Sequence, residues 1–271
     1  MNIETTKVSD NIEIEYSLSG VDNEGTLLFV HALGSNLRQF EMQQHYFAEN
    51  YQVLLISLRG HGNSSAPDNP TNVDYTVMKI ARDVQSLLTF LGINKVHLVG
   101  NSMGGLIGYE LLKMDEGLLS SLTTFGTVAR LHTSPFNRRM LLSMQRFLGP
   151  KWIAWLVGRS ASKNKAVRAR LRSMYEMVSK EALELITMNI ADYDYMDTIC
   201  RYNIPMMLIR GGQDKYINTK LDPVLEIMRN KPYFELVEML NAGHFANIEK
   251  PVDFNEILKR FLIKQSIRNL L

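Results

Sequence analysis

The stretch HLVGNSMGGLIGYELL, residues 97–112, sets one small polar residue, Ser102, between glycines where a buried strand gives way to a helix. Before it, VHLV is short and rich in β-branched residues; after it, Leu106, Ile107, Leu111 and Leu112 recur at helical spacing. Gly100, Asn101, Ser102, Met103 and Gly104 spell G-x-S-x-G, an arrangement that turns a strand so sharply that a hydroxyl stands exposed above the sheet. The glycines have a mechanical reason, since a Cβ two positions to either side of so tight a turn collides with the neighbouring strand or helix. On this reading Ser102 is a nucleophile. A Gly-rich strand-to-helix turn also cradles phosphate on a helix N-terminus, so the rest of the chain has to decide.

Outward from this turn, short apolar runs recur: IEIEY, TLLFV, VLLIS, VHLVG, LTTF, PMMLIR and YFELVEML. The early runs lie close together, as in an antiparallel start. The later ones alternate with amphipathic stretches, the pattern of a mostly parallel central β-sheet wrapped by helices, an α/β fold. DYTVMKIARDVQSLLTFLG reads as a helix with Asp74 as N-cap, one apolar face through Val77, Ile80, Ala81, Val84, Leu87 and Leu88, and Gly92 as its stop. The C-terminal PVDFNEILKRFLIKQSI repeats that design with Pro251 near its start. From about Leu131 to Arg201 the alternation ceases and the sequence reads as helical throughout, with no convincing strand. We take residues 131–201 as an inserted helical cap of three or four helices, and residues 1–130 with 202–271 as the core domain.

Composition sets the bounds. The chain has 271 residues, 45% hydrophobic and 21% charged, enough for one large domain with an insertion and a sizeable core. Thirty Lys plus Arg against 28 Asp plus Glu leave a net charge of +2, which gives no sign of a nucleic-acid binder. A single cysteine, Cys200, excludes an internal disulfide and fits a reducing compartment. The polar start MNIETTKVSDNIEIEY carries no basic segment followed by an apolar one, and no later run approaches a membrane span, so a cytoplasmic location is expected.

A serine hydroxyl needs an adjacent base, and the base needs an orienting group. Of the six histidines, His31, His45, His61, His97, His132 and His244, only His244 follows the last strand and precedes the last helix, in NAGHFANIEKP. That places it at the carboxyl edge of the sheet with Ser102. From Gly117 to Tyr175 there is no Asp or Glu, so the loop after LTTF cannot supply the acid. The loop after PMMLIR ends in Asp214, with Gly211 and Gly212 freeing the backbone to turn. Asp222 competes but reads as part of the following helix, and the chain order favours Asp214.

The order Ser102, Asp214, His244, with FVHALGSNLRQF, LISLRGHGNSSAP, LVGNSMGG, LIRGGQDKYI and NAGHFANIEKPVDF in sequence, resembles the α/β-hydrolase superfamily over nearly the whole length. The similarity is to small cap-bearing serine esterases and enol-lactonase-like hydrolases. The resemblance implies hydrolysis of a carboxylic ester or lactone through an acyl-enzyme, without metal or organic cofactor. It implies an oxyanion hole from the backbone N–H groups of Met103 and of Leu33, with Ala32 standing where the family usually has glycine. Carbon–carbon bond hydrolases and cofactor-free haloperoxidases share the same three residues, and some members of the fold act as small-molecule receptors.

The expected partner is a small-molecule ester or lactone, and the chain is expected as a monomer or homodimer. His31 is a candidate to touch substrate or to brace its loop. Met140, Met144, Met174, Met177 and Met188, with Trp152 and Trp155, are candidates for an adaptable apolar pocket in the cap, or for plain core. Between Leu131 and Ile190 stand eleven Lys or Arg and three Asp or Glu. This is either a solvated basic face or one that attracts an anionic substrate or a membrane surface. Arg138 and Arg139, near the start of the cap, are the candidates to meet a carboxylate bidentately.

Overall fold

Strand β3 (Thr26–Val30) is buried at every residue, and that follows from its position at the centre of an eight-stranded sheet. The computed structural model describes residues 1–9, 11–140, 143, 162 and 164–268. In it the other strands of this sheet are β1 (Glu4–Ser9), β2 (Ile12–Ser19), β4 (Gln52–Ile56), β5 (Val96–Asn101), β6 (Leu119–Phe125), β9 (Met206–Gly211) and β10 (Phe234–Met239). Their order is β1-β2-β4-β3-β5-β6-β9-β10. Only β2 runs against the rest, pairing antiparallel with both neighbours; all pairs from β4 to β10 are parallel.

Because side chains alternate along a strand, each central strand feeds two cores. Leu28, Val30, Leu54, Ile56 and Leu98 face α2 (Val77–Phe90) and α3 (Met103–Met114), which add Val84, Leu87, Ile107 and Leu111. Leu27, Phe29, Val53, Leu55 and Val99 face the other way. There α1 (Glu41–Phe47) contributes Phe47, and the C-terminal helix contributes Phe254, Leu258 and Phe261. The most apolar runs in the sequence, TLLFV, VLLI and VHLV, are therefore central strands covered on both faces, whereas β10 at the edge is only partly buried.

Two local expectations are corrected. Helix α2 begins at Val77 with Thr76 as its N-cap, its hydroxyl accepting from Lys79 N–H. Asp74 lies one turn earlier, closing a capping box with Thr71 on a separate 3-10 turn, Asn72–Tyr75. Between β6 and β9 the chain is not purely helical: β7 (Arg130–His132) and β8 (Asp192–Asp194) form a two-stranded antiparallel ribbon. It carries an Arg130–Asp194 ion pair and a hydrogen bond between His132 Nδ1 and Asp192 Oδ1, both at 2.7 Å. The ribbon has no apolar alternation to betray it. Tyr195 ties its end to the core, its N–H donating to Ala129 O at 2.8 Å and its hydroxyl to Glu110 Oε2 at 2.7 Å. Between the ribbon strands lie α4 (Lys165–Tyr175) and α5 (Lys180–Asn189), and after them comes α6 (Met196–Arg201). Among the described residues no helix is long and apolar enough to cross a membrane.

Polar side chains buried at the carboxyl edge hold its loops. Arg59 forks bidentately onto Asp83 of α2, both nearly inaccessible, and burial pushes the Asp83 carboxyl up against the pull of Arg59. The loops after β3 and β4 brace each other through two histidines. His31 Nδ1–H donates to Ala32 O at 2.8 Å while its Nε2 accepts Leu58 N–H at 2.9 Å. His61 Nδ1–H donates to Arg59 O at 3.0 Å while its Nε2 accepts Gly34 N–H at 3.4 Å. The rings lie 4.9 Å apart and wholly buried, and burial holds His31 well below the usual imidazole range and lowers His61 to about 4.

Two outcomes follow. Asp83→Ala leaves the Arg59 guanidinium buried without its partner and is expected to cost about 3–5 kcal/mol, read from urea midpoints. Both histidines are neutral when folded, whereas an unfolded histidine takes up a proton near pH 6.5, so stability is full above that pH and falls as acid is added, for His61 until about pH 4. The stability advantage of the wild-type chain over His61→Gln should therefore shrink by ~2 kcal/mol from pH 7 to pH 5. An advantage independent of pH would show that His61 is not held neutral.

Candidate active site

The turn between β5 and α3 is set by close approach. A Cβ on Gly100 would lie 2.5 Å from the backbone of Gly104, and one on Gly104 would lie 2.0 Å from Val30 O of the neighbouring strand. With α3 pressed this near to β3, Ser102 is forced to φ +52° and ψ −114°, a region that non-glycine residues rarely occupy. The end of β6 holds it there: Ser102 N–H donates to Phe125 O at 2.9 Å, and Thr127 Oγ1 donates to Ser102 O at 3.0 Å.

Asp214 follows β9 and N-caps the short helix α7 (Lys215–Asn218), its Oδ1 accepting Ile217 N–H. Its other oxygen, Oδ2, accepts from His244 Nδ1–H at 2.6 Å. Gln213 N–H donates to Ala242 O at 2.9 Å, so the acid loop and the histidine loop are also joined through the backbone. The His244 ring rests on Gly126, just past β6, where an added Cβ would come within 2.9 Å of it. Ser102 and His244 thus flank the same strand end, though among the described residues no hydrogen bond joins them. Nor does a protein donor reach His244 Nε2 among those residues. Asp222 is exposed at the first turn of α8 (Asp222–Met228), and among the described residues the carboxylate bonded to His244 is that of Asp214.

The loop after β3 brings Leu33 to the site. Its neighbours are engaged, Ala32 N–H with Gln39 Oε1 at 3.1 Å, Gly34 N–H with His61, and Ser35 N–H with Ala32 O at 3.1 Å; the bonds pass over Leu33 N–H. At the elbow they likewise pass over Met103 N–H, the first of α3, while Gly105 N–H bonds Ser102 O at 3.0 Å. Among the described residues neither N–H group has a protein acceptor, and that of Met103 lies at a helix N-terminus.

Of the two roles expected for His31 the geometry fits the brace: both ring nitrogens are occupied by backbone and the side chain has no accessible surface to offer a substrate. Arg138 is half-buried and Arg139 exposed, both in the helical residues 135–140. Trp152, Trp155 and Met144 lie outside the described residues. Met140 is exposed, whereas Met174 is buried and takes the Ser35 hydroxyl on its sulfur at 3.3 Å. Helix α4 lies over the site loops, where Val167, Leu171 and Met174 form one apolar cluster with Ala32, Phe245 and Ile248.

Sequence reasoning passed over a row of buried amides beneath the site: Gln39, Gln43, Asn101, Asn247 and Asn255. The one signal was the four-residue spacing of Gln39 and Gln43, which puts two amides on one helical face where apolar residues were to be expected.

Residues 27–257 match the model of a family described as the alpha/beta hydrolase family. The chain is 26% identical to 3-oxoadipate enol-lactonase 2 of Acinetobacter baylyi, over 94% of this chain and 97% of that one. It is 24% identical to a putative esterase/lipase of Haemophilus influenzae, over 89% of this chain and 84% of that one. Among solved structures, the enol-lactonase from Burkholderia xenovorans superposes with a TM-score of 0.84 at 24% identity, covering 96% of this chain and all (100%) of that one. A family model that spans the sheet from β3 into the C-terminal helix, over the strands and loops just described, places the chain in the alpha/beta hydrolase family.

Proposed function

We propose that the protein is a serine hydrolase that cleaves a carboxylic ester or lactone of a small molecule through an acyl-enzyme. The observation that carries this reading is the His244–Asp214 bond at 2.6 Å, set at the same sheet edge as the strained Ser102. The carboxylate commits the Nδ1 proton and so leaves Nε2 as the basic nitrogen, oriented by its partner as a general base must be. The names borne by the relatives, enol-lactonase and esterase, agree with this chemistry.

In the first half-reaction Ser102 Oγ attacks the carbonyl carbon as its proton passes to His244 Nε2. The carbonyl oxygen becomes an oxyanion and is met by the N–H groups of Met103 and Leu33. Collapse breaks the bond to the leaving oxygen, which takes the proton from His244; in a lactone that oxygen stays tethered to the acyl group. Water then repeats the cycle on the acyl-enzyme, its proton going to His244 and on to Ser102 as the acid departs. Asp214 keeps its charge and steadies the imidazolium in both halves. Residues 131–201 serve in this reading as the cap that shapes the substrate pocket.

Ser102→Ala should fold normally and lose on the order of a millionfold in kcat. Intact-mass spectra after a fluorophosphonate should show one adduct, on Ser102, and an adduct elsewhere would sink the assignment. Asp214→Asn should cost about ten-thousandfold in kcat by removing the acceptor that fixes the tautomer. Asp222→Asn should change little, and the reverse ranking would mean the acid is wrongly chosen.

A further inference from the structure

Gln39 sits just before α1, wholly enclosed, at the crossing point of the loops that carry Leu33, Ser102 and His244. Its Oε1 accepts Ala32 N–H at 3.1 Å, and its Nε2 donates to Asn101 Oδ1 at 2.8 Å. Asn101, the residue before Ser102, then donates from Nδ2 to Phe125 O at 2.9 Å and to His244 O at 3.0 Å. The polarity of this chain is fixed from its ends. A backbone N–H at one end demands an oxygen of Gln39, and two carbonyls at the other demand the nitrogen of Asn101, so neither amide can flip without burying an unpaired group. Asn247 holds Gln39 from the far side, donating to Gln39 O at 3.0 Å.

The consequence falls on Leu33. Ala32 O is fixed by His31 Nδ1–H at 2.8 Å and by Ser35 N–H at 3.1 Å, and in a planar trans peptide Leu33 N–H points the opposite way. Gln39 pins the other side of the same residue through Ala32 N–H. The two peptide planes around Ala32 are thereby set, and with them the direction of the Leu33 N–H, which has no protein acceptor among the described residues.

We infer that Gln39 is a positioning residue for the oxyanion hole, acting through Ala32 and Asn101 to hold the Leu33 donor, the nucleophile elbow and the histidine loop in one register. This rests on the serine hydrolase reading above. A donor held out of line stabilises the tetrahedral oxyanion poorly while leaving ground-state binding intact, so the defect belongs in kcat.

The test is Gln39→Met, close in volume and devoid of both amide functions, measured on p-nitrophenyl acetate and for the rate of Ser102 labelling by a fluorophosphonate. The expected result is a kcat lower by about tenfold to hundredfold with KM within about twofold, and a labelling rate lower by a similar factor. Asn255→Ala is the comparison: it removes the acceptor of Gln43 Nε2 at 2.9 Å, at the end of the amide row that touches neither Ala32 nor Asn101. It should lower the melting temperature and spare kcat and labelling. Should Gln39→Met not fold, Gln39→Asn, whose amide is too short to reach both Ala32 and Asn101, is measured with the same expectations. An unchanged kcat in the Gln39 variant, or an equal kcat loss in Asn255→Ala, would overturn the role of Gln39 and leave the hydrolase reading standing. A wild-type chain that takes no label on Ser102 and turns over no ester overturns both.

Discussion

Helix α3 meets strand β3 at Gly104, where a single added carbon would lie 2.0 Å from Val30 O, and the geometry of the site descends from that contact. A helix seated so near the sheet has no room to be entered gradually, so the chain turns within one residue. Ser102 takes up the difference at φ +52°, a conformation that costs on the order of 1–3 kcal/mol and persists only where neighbours over-determine it. Phe125 O and Thr127 Oγ1 do so from the adjoining strand end. The same contact leaves Met103 N–H as the first donor of the helix, without a protein acceptor among the described residues and next in sequence to Ser102.

Three histidines line this edge, and their differences are instructive. In His31, His61 and His244 alike, Nδ1–H donates to an oxygen and so fixes the tautomer. For His31 and His61 that oxygen is a backbone carbonyl, and Nε2 is consumed by a backbone N–H from the opposite loop. A protonated ring could not accept that bond, and burial keeps both neutral, so they act as two-ended braces. For His244 the oxygen is a carboxylate and the ring is half-buried. Its charged form has a counter-ion, and its Nε2 has no competing donor among the described residues. The same side chain is structural in two places and suited to proton transfer in the third because of what faces each nitrogen.

Much of this was legible in the sequence where one residue had one physical reason to be there. Strands covered on both faces cannot avoid being apolar runs, and a turn at van der Waals limits cannot avoid glycine, so the central strands β3, β4, β5, β6 and β9 and the elbow could be read directly. Asp214 was singled out by elimination, since the competing loop carries no carboxylate, and it is the carboxylate that bonds His244. Strand β1 was passed over because it lies at the sheet edge, mostly exposed, and its sequence ETTKVS has no buried face. The ribbon β7–β8 owes its charged pairs to a partner some sixty positions away, as in Arg130–Asp194, a separation of 64 residues to which no local pattern is sensitive. The amide row was hidden for the same reason: Gln39 and Asn247 are 208 residues apart, and a buried glutamine is intelligible only once its partners are known.

Position 32 joins these threads. Alanine there departs from the glycine usual in the family, and the structure gives its methyl a place, buried among Val167, Leu171 and Met174 of α4 and Phe245 and Ile248 of the histidine loop. The loop that carries Leu33, the loop that carries His244 and the helix that roofs them therefore share one apolar cluster. Apolar contacts of this kind stabilise in proportion to the area withdrawn from water and favour no direction, so alone they would let the three elements slide. Direction comes from below, where the amide of Gln39 grips Ala32 N–H and Asn101 grips His244 O. Ala32 is thus held by dispersion on its upper face and by hydrogen bonds on its lower one. The methyl contacts of Ala32 with α4 and the hydrogen bonds of its backbone are separate, so lifting α4 would uncover the methyl without breaking the bond to Gln39.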